Sequence, residues 1–425
     1  MRHTKSKLLV LTSIILTIAT LSLSAKSIEF NGMLRDYLAY TFEDSTFAVH
    51  EQTLDLTLTG WGDNTHMVIN PTIYMGDNQA LQLGIREAYI DFYLENADIR
   101  VGKQAIIWGE AEGAFITDLV SPRDMRSFIL ADFKEIRKGV PAIKVDYYKD
   151  AFTFEGIWLP KFIPTSMPDQ NSMWAKPMTM AVSNPTAFKD AKFKLSMPKA
   201  ELKNSELFGK VSHFGSKANW ALMGGYAFTG EPYISHITLT TSPPAFVVGE
   251  IHQEYGRYFM GGGSLSTSVG PTVLRLEAAA YFDKPFTSIP SHPGTATIEK
   301  HHQLQTLTGL DWDLWGMQMS AQYIFGFVHD HHDKLMEQGK FLKEFSHTFT
   351  FRVQKTFFSD QLAAKLFTYV EADPLNALIR PSLSWTIEDG VILEGGLDLF
   401  VGDKDGTFGS YKDNSLAWMA LRWYF

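Results

Sequence analysis

From Gln52 to Gly60 the side chains divide by parity, with Leu54, Leu56 and Leu58 on one side and Thr53, Asp55, Thr57 and Thr59 on the other. Successive β side chains point to opposite faces, so such a stretch is a strand with one oily and one polar surface. The division recurs at Met317, Met319, Ala321, Tyr323, Phe325 and Phe327 against Gln318, Ser320 and Gln322. It recurs again at Val391, Leu393, Leu397, Leu399 and Val401 against Glu394, Gly396, Asp398 and Gly402. Alternating segments run roughly 9 to 15 residues, longer than the strands of globular sheets and suited to a tilted crossing of a hydrocarbon layer about 30 Å thick.

Connections alternate short and long. The short ones are 62–64, 95–97, 149–151, 215–217, 268–271, 314–316, 358–360 and 388–390, which makes eight. The longer ones are 42–47, 76–83, 105–139, 160–205, 230–252, 285–300, 329–341, 372–375 and 403–412, which makes nine. Together they delimit about eighteen strands, an even number with both termini on the short-turn side; other readings of 205–213 and 232–250 give sixteen or fourteen. Every backbone N–H and C=O in hydrocarbon needs an internal partner, and a closed sheet is the β solution. The expected fold is therefore all-β, a transmembrane antiparallel β-barrel over residues 26–425. Inward rows rich in Thr, Gln, Asp, Glu, Lys and Gly then imply a wet lumen, because dry burial costs about 1–3 kcal/mol per unpaired polar group.

Two features mark the membrane boundary. Trp61, Trp220, Trp312, Trp315, Trp385 and Trp423 fall near the short turns or the C-terminus, as an interfacial aromatic girdle would. The chain ends in an amphipathic segment, with Ala417, Met419, Leu421, Trp423 and Phe425 on one face, resembling the assembly signal of outer-membrane barrels. At the other end, Arg2, Lys5 and Lys7 precede an apolar run from Leu8 to Leu21 and a small-residue close at Ser24-Ala25. Residues 1–25 thus read as a secretory signal peptide. Its removal takes Lys plus Arg from 38 to 35 against 47 acids, a net charge of −12 that argues against nucleic acid as a partner. With no cysteine there is no disulfide framework.

The connection 105–139 changes period. Ser121 suits an N-cap, Pro122 position N1 and Asp124 position N3, followed by a stripe of Met125, Phe128, Ile129, Phe133 and Ile136 and a stop at Lys138-Gly139. This predicts a helix over 122–138 within an inserted loop, either capping the rim or folding into the lumen as a constriction. Here Gly102-Lys103-Gln104, Trp108-Gly109-Glu110, Asp118 and Ser121-Pro122-Arg123-Asp124, followed by Phe128-Ile129, resemble a proteobacterial family of uncharacterised outer-membrane barrels. Its members carry a run of similar pattern, with Asn where this chain has Ser121, and are often encoded near RND-type exporters and periplasmic lipoprotein-carrier-like proteins. The resemblance implies an outer-membrane location in a diderm bacterium, and it brings in a periplasmic transport partner. It assigns no substrate.

Candidate pore residues are Arg123, Asp124, Arg126 and Glu110 of the loop, with Asp55, Glu87, Asp91 and Arg100 among the inward charges of the early strands; these pairs set an electric field across the lumen or hold the wall in shape. Residues 160–205 are dense in Pro and Met, which argues against a regular sheet and for an extracellular loop, either loosely folded or a Met-rich lid over an apolar ligand. His301-His302 and His329 to Asp333 flank one hairpin and would meet at the outer rim; His302, His329 and His331 are the candidate ligands, although nothing fixes their angles and a solvated loop accounts for them. No nucleophile elbow, P-loop, zincin helix or dinucleotide fingerprint is present, so neither a cofactor nor an enzyme is expected. A barrel hydrolase with a dispersed triad and a sealed adhesin are the outlying alternatives. The expectation is a porin-like channel for small solutes, embedded in outer-membrane lipid and inserted by the barrel assembly machinery. The alternative is a component handling lipid or hydrophobic compounds with a periplasmic or RND-type system.

Overall fold

The computed structural model describes residues 27–76, 81–109, 113–131, 135–169, 172–175, 185–240, 247–289, 296–337 and 339–425. The proposed signal peptide and Glu110 lie outside them. Eighteen strands form the wall: β1 (Ser27–Thr41), β2 (Thr46–Trp61), β3 (Thr65–Gly76), β4 (Gln82–Tyr93), β5 (Ala97–Gln104), β6 (Val140–Lys149), β7 (Phe152–Leu159), β8 (Glu206–Phe214) and β9 (Ala218–Phe228). The second half comprises β10 (Arg257–Val269), β11 (Thr272–Ser288), β12 (Thr297–Leu314), β13 (Met317–Val328), β14 (Phe345–Phe357), β15 (Leu362–Ala372), β16 (Leu375–Glu388), β17 (Val391–Gly402) and β18 (Leu416–Tyr424). Each pairs antiparallel with its sequence neighbours, and β1 pairs with β18 in the register Arg35 opposite Arg422. Beyond that ladder the Gly32 N–H donates to the Phe425 carbonyl at 2.8 Å and the Phe425 N–H donates to the Gly32 carbonyl at 3.0 Å. Among the described residues the wall therefore closes on itself, as the hydrocarbon argument requires.

Parity sorts the two faces as the sequence predicts. Ile28, Phe30 and Leu34 on β1 and Met419, Leu421 and Trp423 on β18 are exposed to the outside, while Arg35 and Arg422 turn inward. Trp61, Trp315, Trp385 and Trp423 sit exposed at the short-turn rim. The turns themselves use left-handed backbone where the hairpin twist demands it; Trp315 and Gly316, for example, have φ of 53° and 71°.

One half of the inner wall departs from the polar expectation. Ala142, Ile157, Phe208, Met223, Tyr258, Met260, Ala279 and Leu307 project inward from β6 to β12 and form a buried apolar cluster with Ile106, Trp108, Ala114, Ile116 and Val120 of the connection between β5 and β6. The lumen is therefore occupied on that side. Each large apolar side chain removed from water there contributes about 1.5–3 kcal/mol, which draws the connection into the barrel.

Two local expectations are corrected. No helix forms among the described residues of 122–138. Arg123 bridges Arg137 antiparallel and Asp124 bridges Ser166 in parallel, with a turn at 126–129. The Ser121 hydroxyl accepts the Ile106 amide at 2.8 Å instead of capping a helix. The apolar stripe also serves two places at once: Ile136 is buried near the bridge, whereas Phe128, at φ 55°, reaches a cluster of Trp174, Phe400, Phe408 and Tyr411. Nor does the proline-rich connection lack regular sheet. Lys192–Ser196, a proline-free stretch, pairs in parallel with Val248–Glu254, which pairs antiparallel with Tyr233–Leu239. This small sheet has its own core of Ile234, Ile237, Val248, Ile251 and Ala296.

Candidate functional site: a strap across the lumen

The described residues of 105–139 cross the barrel as an extended strap whose two limbs are tied to different parts of the wall. On the first limb, the Tyr281 hydroxyl of β11 donates to the Ile116 carbonyl at 2.6 Å and the Tyr369 hydroxyl of β15 donates to the Gly113 carbonyl at 3.0 Å. The Trp108 indole N–H reaches deep toward the short-turn side and donates to Glu155 on β7. On the second limb, Arg380 of β16 donates to the Leu130 carbonyl at 3.0 Å, and Arg35 of β1 pairs with Glu135 at 2.9 Å. These anchors are inward side chains of the strands, so the strap lies inside the barrel.

The strap's own knot is built from the residues that carry the family resemblance. Asp118 accepts the Trp108 amide at 3.1 Å and pairs with Arg137 at 2.5 Å, both side chains being nearly inaccessible. Burial pushes the Asp118 carboxyl up, opposed by the adjacent Arg137 guanidinium. Two guanidinium groups approach the Phe115 ring, Arg123 at 5.0 Å and Arg137 at 5.4 Å from its centroid. At the root of the strap, Glu87 accepts the Ala105 backbone N–H at 2.7 Å and the Gln104 side-chain Nε2 donates to the Ala142 carbonyl at 3.2 Å. Gly102 has φ +137°, and a Cβ there would stand 2.3 Å from the Ala88 carbonyl oxygen. The motif thus directs the connection inward.

The candidate pore residues divide into two groups. Arg123 pairs with Glu231 at 3.2 Å, and Arg126 pairs with Asp124 at 2.6 Å while keeping about half its side chain exposed (54%). Burial disfavours the Asp124 carboxylate, but the hydrogen bonds from Arg126 outweigh it and hold the carboxyl below its ordinary range. The strand charges are closed on one another. Asp91 is held by Arg100 at 2.6 Å and by His66 at 3.0 Å, and Asp55 by Asn70 and by Arg86 at 3.4 Å. A further network joins Lys144 to Asp146 at 2.7 Å and both Lys144 and Lys210 to Glu155 at 3.3 Å.

Above the strap on the long-loop side opens a cavity of about 1040 Å³. Its floor is Phe115, Asp118 and Arg123, its walls Phe162, Phe228, Tyr258 and Tyr281, and its mouth Glu231, Lys284 and Glu337. Lys284 and Glu337 pair at 2.6 Å. Sequence reading did not single out Arg137, Glu231, Tyr281 or Tyr369. Only Tyr281 carried a local signal, as a large inward residue after the small run Ala278 to Ala280.

None of the curated proteins matches this chain. Among solved structures the chain is similar to Pseudomonas aeruginosa OccD3 (OpdP), at 6% identity and TM-score 0.54 over 94% of this chain and 92% of that one. It is similar to P. aeruginosa OccK5 (OpdH), at 8% identity and TM-score 0.53 over 95% and 98%, and to Acinetobacter baumannii OccAB3, at 10% and 0.51 over 94% and 99%. At such identities the likeness is one of fold, the closed eighteen-stranded barrel of outer-membrane porins. Residues 50–386 match the family described as protein of unknown function (DUF1302), and the chain belongs to that family.

Proposed function

We propose that the chain is a diffusion channel in the outer membrane of a diderm bacterium, passing small solutes around a strap that narrows the lumen. The observation that carries this reading is the five-point anchoring of 105–139 to inward side chains of β1, β7, β11, β15 and β16. A tethered internal segment sets a pore's bore without closing the sheet. In this reading Arg123, Asp124 and Arg126 meet the solute, with Arg123 at the floor of the aromatic cavity. Asp55, Glu87, Asp91 and Arg100 hold the wall and the strap's root. Glu110 belongs to the same segment, and its contribution is part of the proposal. Insertion through the barrel assembly machinery is supported by the terminal strand closing on Phe425.

The cavity's aromatic lining favours a second reading, in which the cargo is an amphipathic or lipid-like compound passed to or from a periplasmic partner. Planar-bilayer recording of the purified barrel separates the two. Stepwise ohmic current is expected; a silent barrel that co-purifies with stoichiometric lipid would replace the channel with the second reading. Lipase and protease assays on the same preparation are expected to be negative.

A further inference from the structure

The rim beyond β12 gathers a group of side chains that the channel reading leaves unused. Glu299 and His301 are alternate residues of β12 and so share its inner face, and His332 comes from the connection after β13. One ligand atom from each lies within 4.8 Å of the others. The Glu299 Oε2 is 2.8 Å from His332 Nε2 and 3.5 Å from His301 Nε2. Residues 302, 329 and 331 do not converge with them. The His302 Nδ1 accepts the Asp283 amide at 3.2 Å, His329 is exposed beside Asp330, and His331 bonds the Leu342 carbonyl at 2.9 Å.

His301 decides the chemistry. It is 9% exposed, and its Nδ1 lies 3.0 Å from the His329 carbonyl oxygen. A carbonyl only accepts, so Nδ1 carries a proton, and in the neutral ring the Nε2 lone pair faces the Glu299 carboxylate. That Nε2 is buried without a hydrogen-bond partner. The 3.5 Å gap between that Nε2 and the Glu299 carboxylate is one that a proton on the ring or a metal cation fills. The carbonyl on Nδ1 is also the outer contact that orients a metal-binding imidazole. A tetrahedral zinc-like ion held at about 2.0–2.2 Å from each ligand separates those ligands by about 3.3–3.5 Å. The pair His301 and Glu299 already has that spacing. His332 must open by roughly half an ångström on the same estimate, giving up only a 3.3 Å bond from the Lys334 amide to its Nδ1.

We propose that Glu299, His301 and His332 form a site for one divalent transition-metal ion of borderline softness, such as Zn²⁺, with a fourth position open to water. Two imidazoles and one carboxylate favour such an ion over Mg²⁺ or Ca²⁺, which take mainly oxygen ligands. The ion fastens the connection after β13 to β12. That connection also supplies Met336, which pairs with Thr287 of β11, and Glu337 at the mouth of the cavity. Occupancy therefore stiffens one side of the vestibule.

The test is isothermal titration of the full mature barrel, purified without a histidine tag, with ZnCl₂ and separately with MgCl₂. One Zn²⁺ per barrel and no measurable Mg²⁺ binding are expected. H301A and H332A should each weaken Zn²⁺ at least about 100-fold, beyond the 10- to 100-fold that loss of an orienting partner costs. H302A should leave it unchanged, with heat-modifiable gel mobility confirming that every variant is folded. In the wild-type barrel Co²⁺ should give the intense visible bands of a tetrahedral site. Zn²⁺ binding equal in wild type and the H301A/H332A double variant overturns the proposal, as does the absence of binding.

Discussion

Asp118 grips the guanidinium of Arg137 inside the barrel, 2.5 Å from Nε to Oδ2, with 1% and 2% of the two side chains exposed. The pair joins the descending and returning limbs of the strap, nineteen residues apart. Trp108, which donates its amide to Asp118, and Phe115, whose ring faces Arg137, belong to the same connection, so the pair knits the strap to itself.

Asp118→Ala removes the buried carboxylate that Arg137 grips, a loss of about 3–5 kcal/mol that falls on the strap. The barrel should still show heat-modifiable mobility, while externally added protease cuts within 105–139 and single-channel current becomes larger and noisier. Replacing both partners with apolar residues, as in D118L/R137M, should recover most of the protease resistance. Unchanged cleavage and current in D118A would remove the strap from the conduction path.

Tyr281 and Tyr369 tie the first limb from different strands, by hydrogen bonds to the Ile116 and Gly113 carbonyls. Each Phe substitution keeps the ring and deletes one donor, a loss of about 1 kcal/mol, more if the orphaned carbonyl stays dry. The two carbonyls sit close together on one tether. Current fluctuation in Y281F/Y369F should therefore exceed the sum of the single effects, since sites sharing a partner segment couple.

The barrel was legible because its code is local: parity alone places Arg35, Thr53 and Asp91 inside and Leu34, Leu421 and Trp423 outside. The turns and loops fall where the composition changes. The strap's conformation was not legible, although its anchoring residues include the motif. Met125, Phe128, Ile129 and Ile136 are spaced like one helical face, yet Phe128 and Ile129 pack on the cluster of Trp174, Phe400, Phe408 and Tyr411 while Ile136 is buried beside the Arg123–Arg137 bridge. Ser121 looked like a cap and instead bonds Ile106. The partner of Arg123, Glu231, is 108 residues away, and the Glu299, His301 and His332 group depends on a hairpin register that sequence spacing only approximates.

Acid should loosen the turn at 126–129 selectively. Arg126 and Lys138 hold the Asp124 carboxyl low despite its burial. A group with a depressed folded pKa contributes stability above its unfolded value of about 3.9, and that contribution disappears as the pH falls through the folded value. Noise in the channel current should therefore rise as the pH drops below about 4 and stay level between pH 5 and 8. Asp124→Asn should abolish this acid step without shifting any change of conductance at higher pH, as read from current recordings across a pH series.

Gly102 provides the sharpest test of how the strap is rooted. Its φ of +137° is open to glycine and strained for any L side chain, and an added Cβ would overlap the Ala88 carbonyl oxygen at 2.3 Å and the Tyr89 Cα at 2.6 Å. Those are backbone atoms of β4, which cannot move without breaking the β4–β5 ladder between Tyr89 and Gly102. Gly102→Ala should therefore lose about 1–3 kcal/mol from backbone strain alone, with the overlap adding to it, and should displace the Gln104 and Ala105 contacts that turn the chain into the lumen. Gly156→Ala on β7 is the matched control, since nothing lies within 4 Å of a Cβ at that position. Urea titration of the refolded barrel in detergent should show a lower midpoint for G102A and none for G156A; equal midpoints would mean that Gly102 is not where the strap takes its direction.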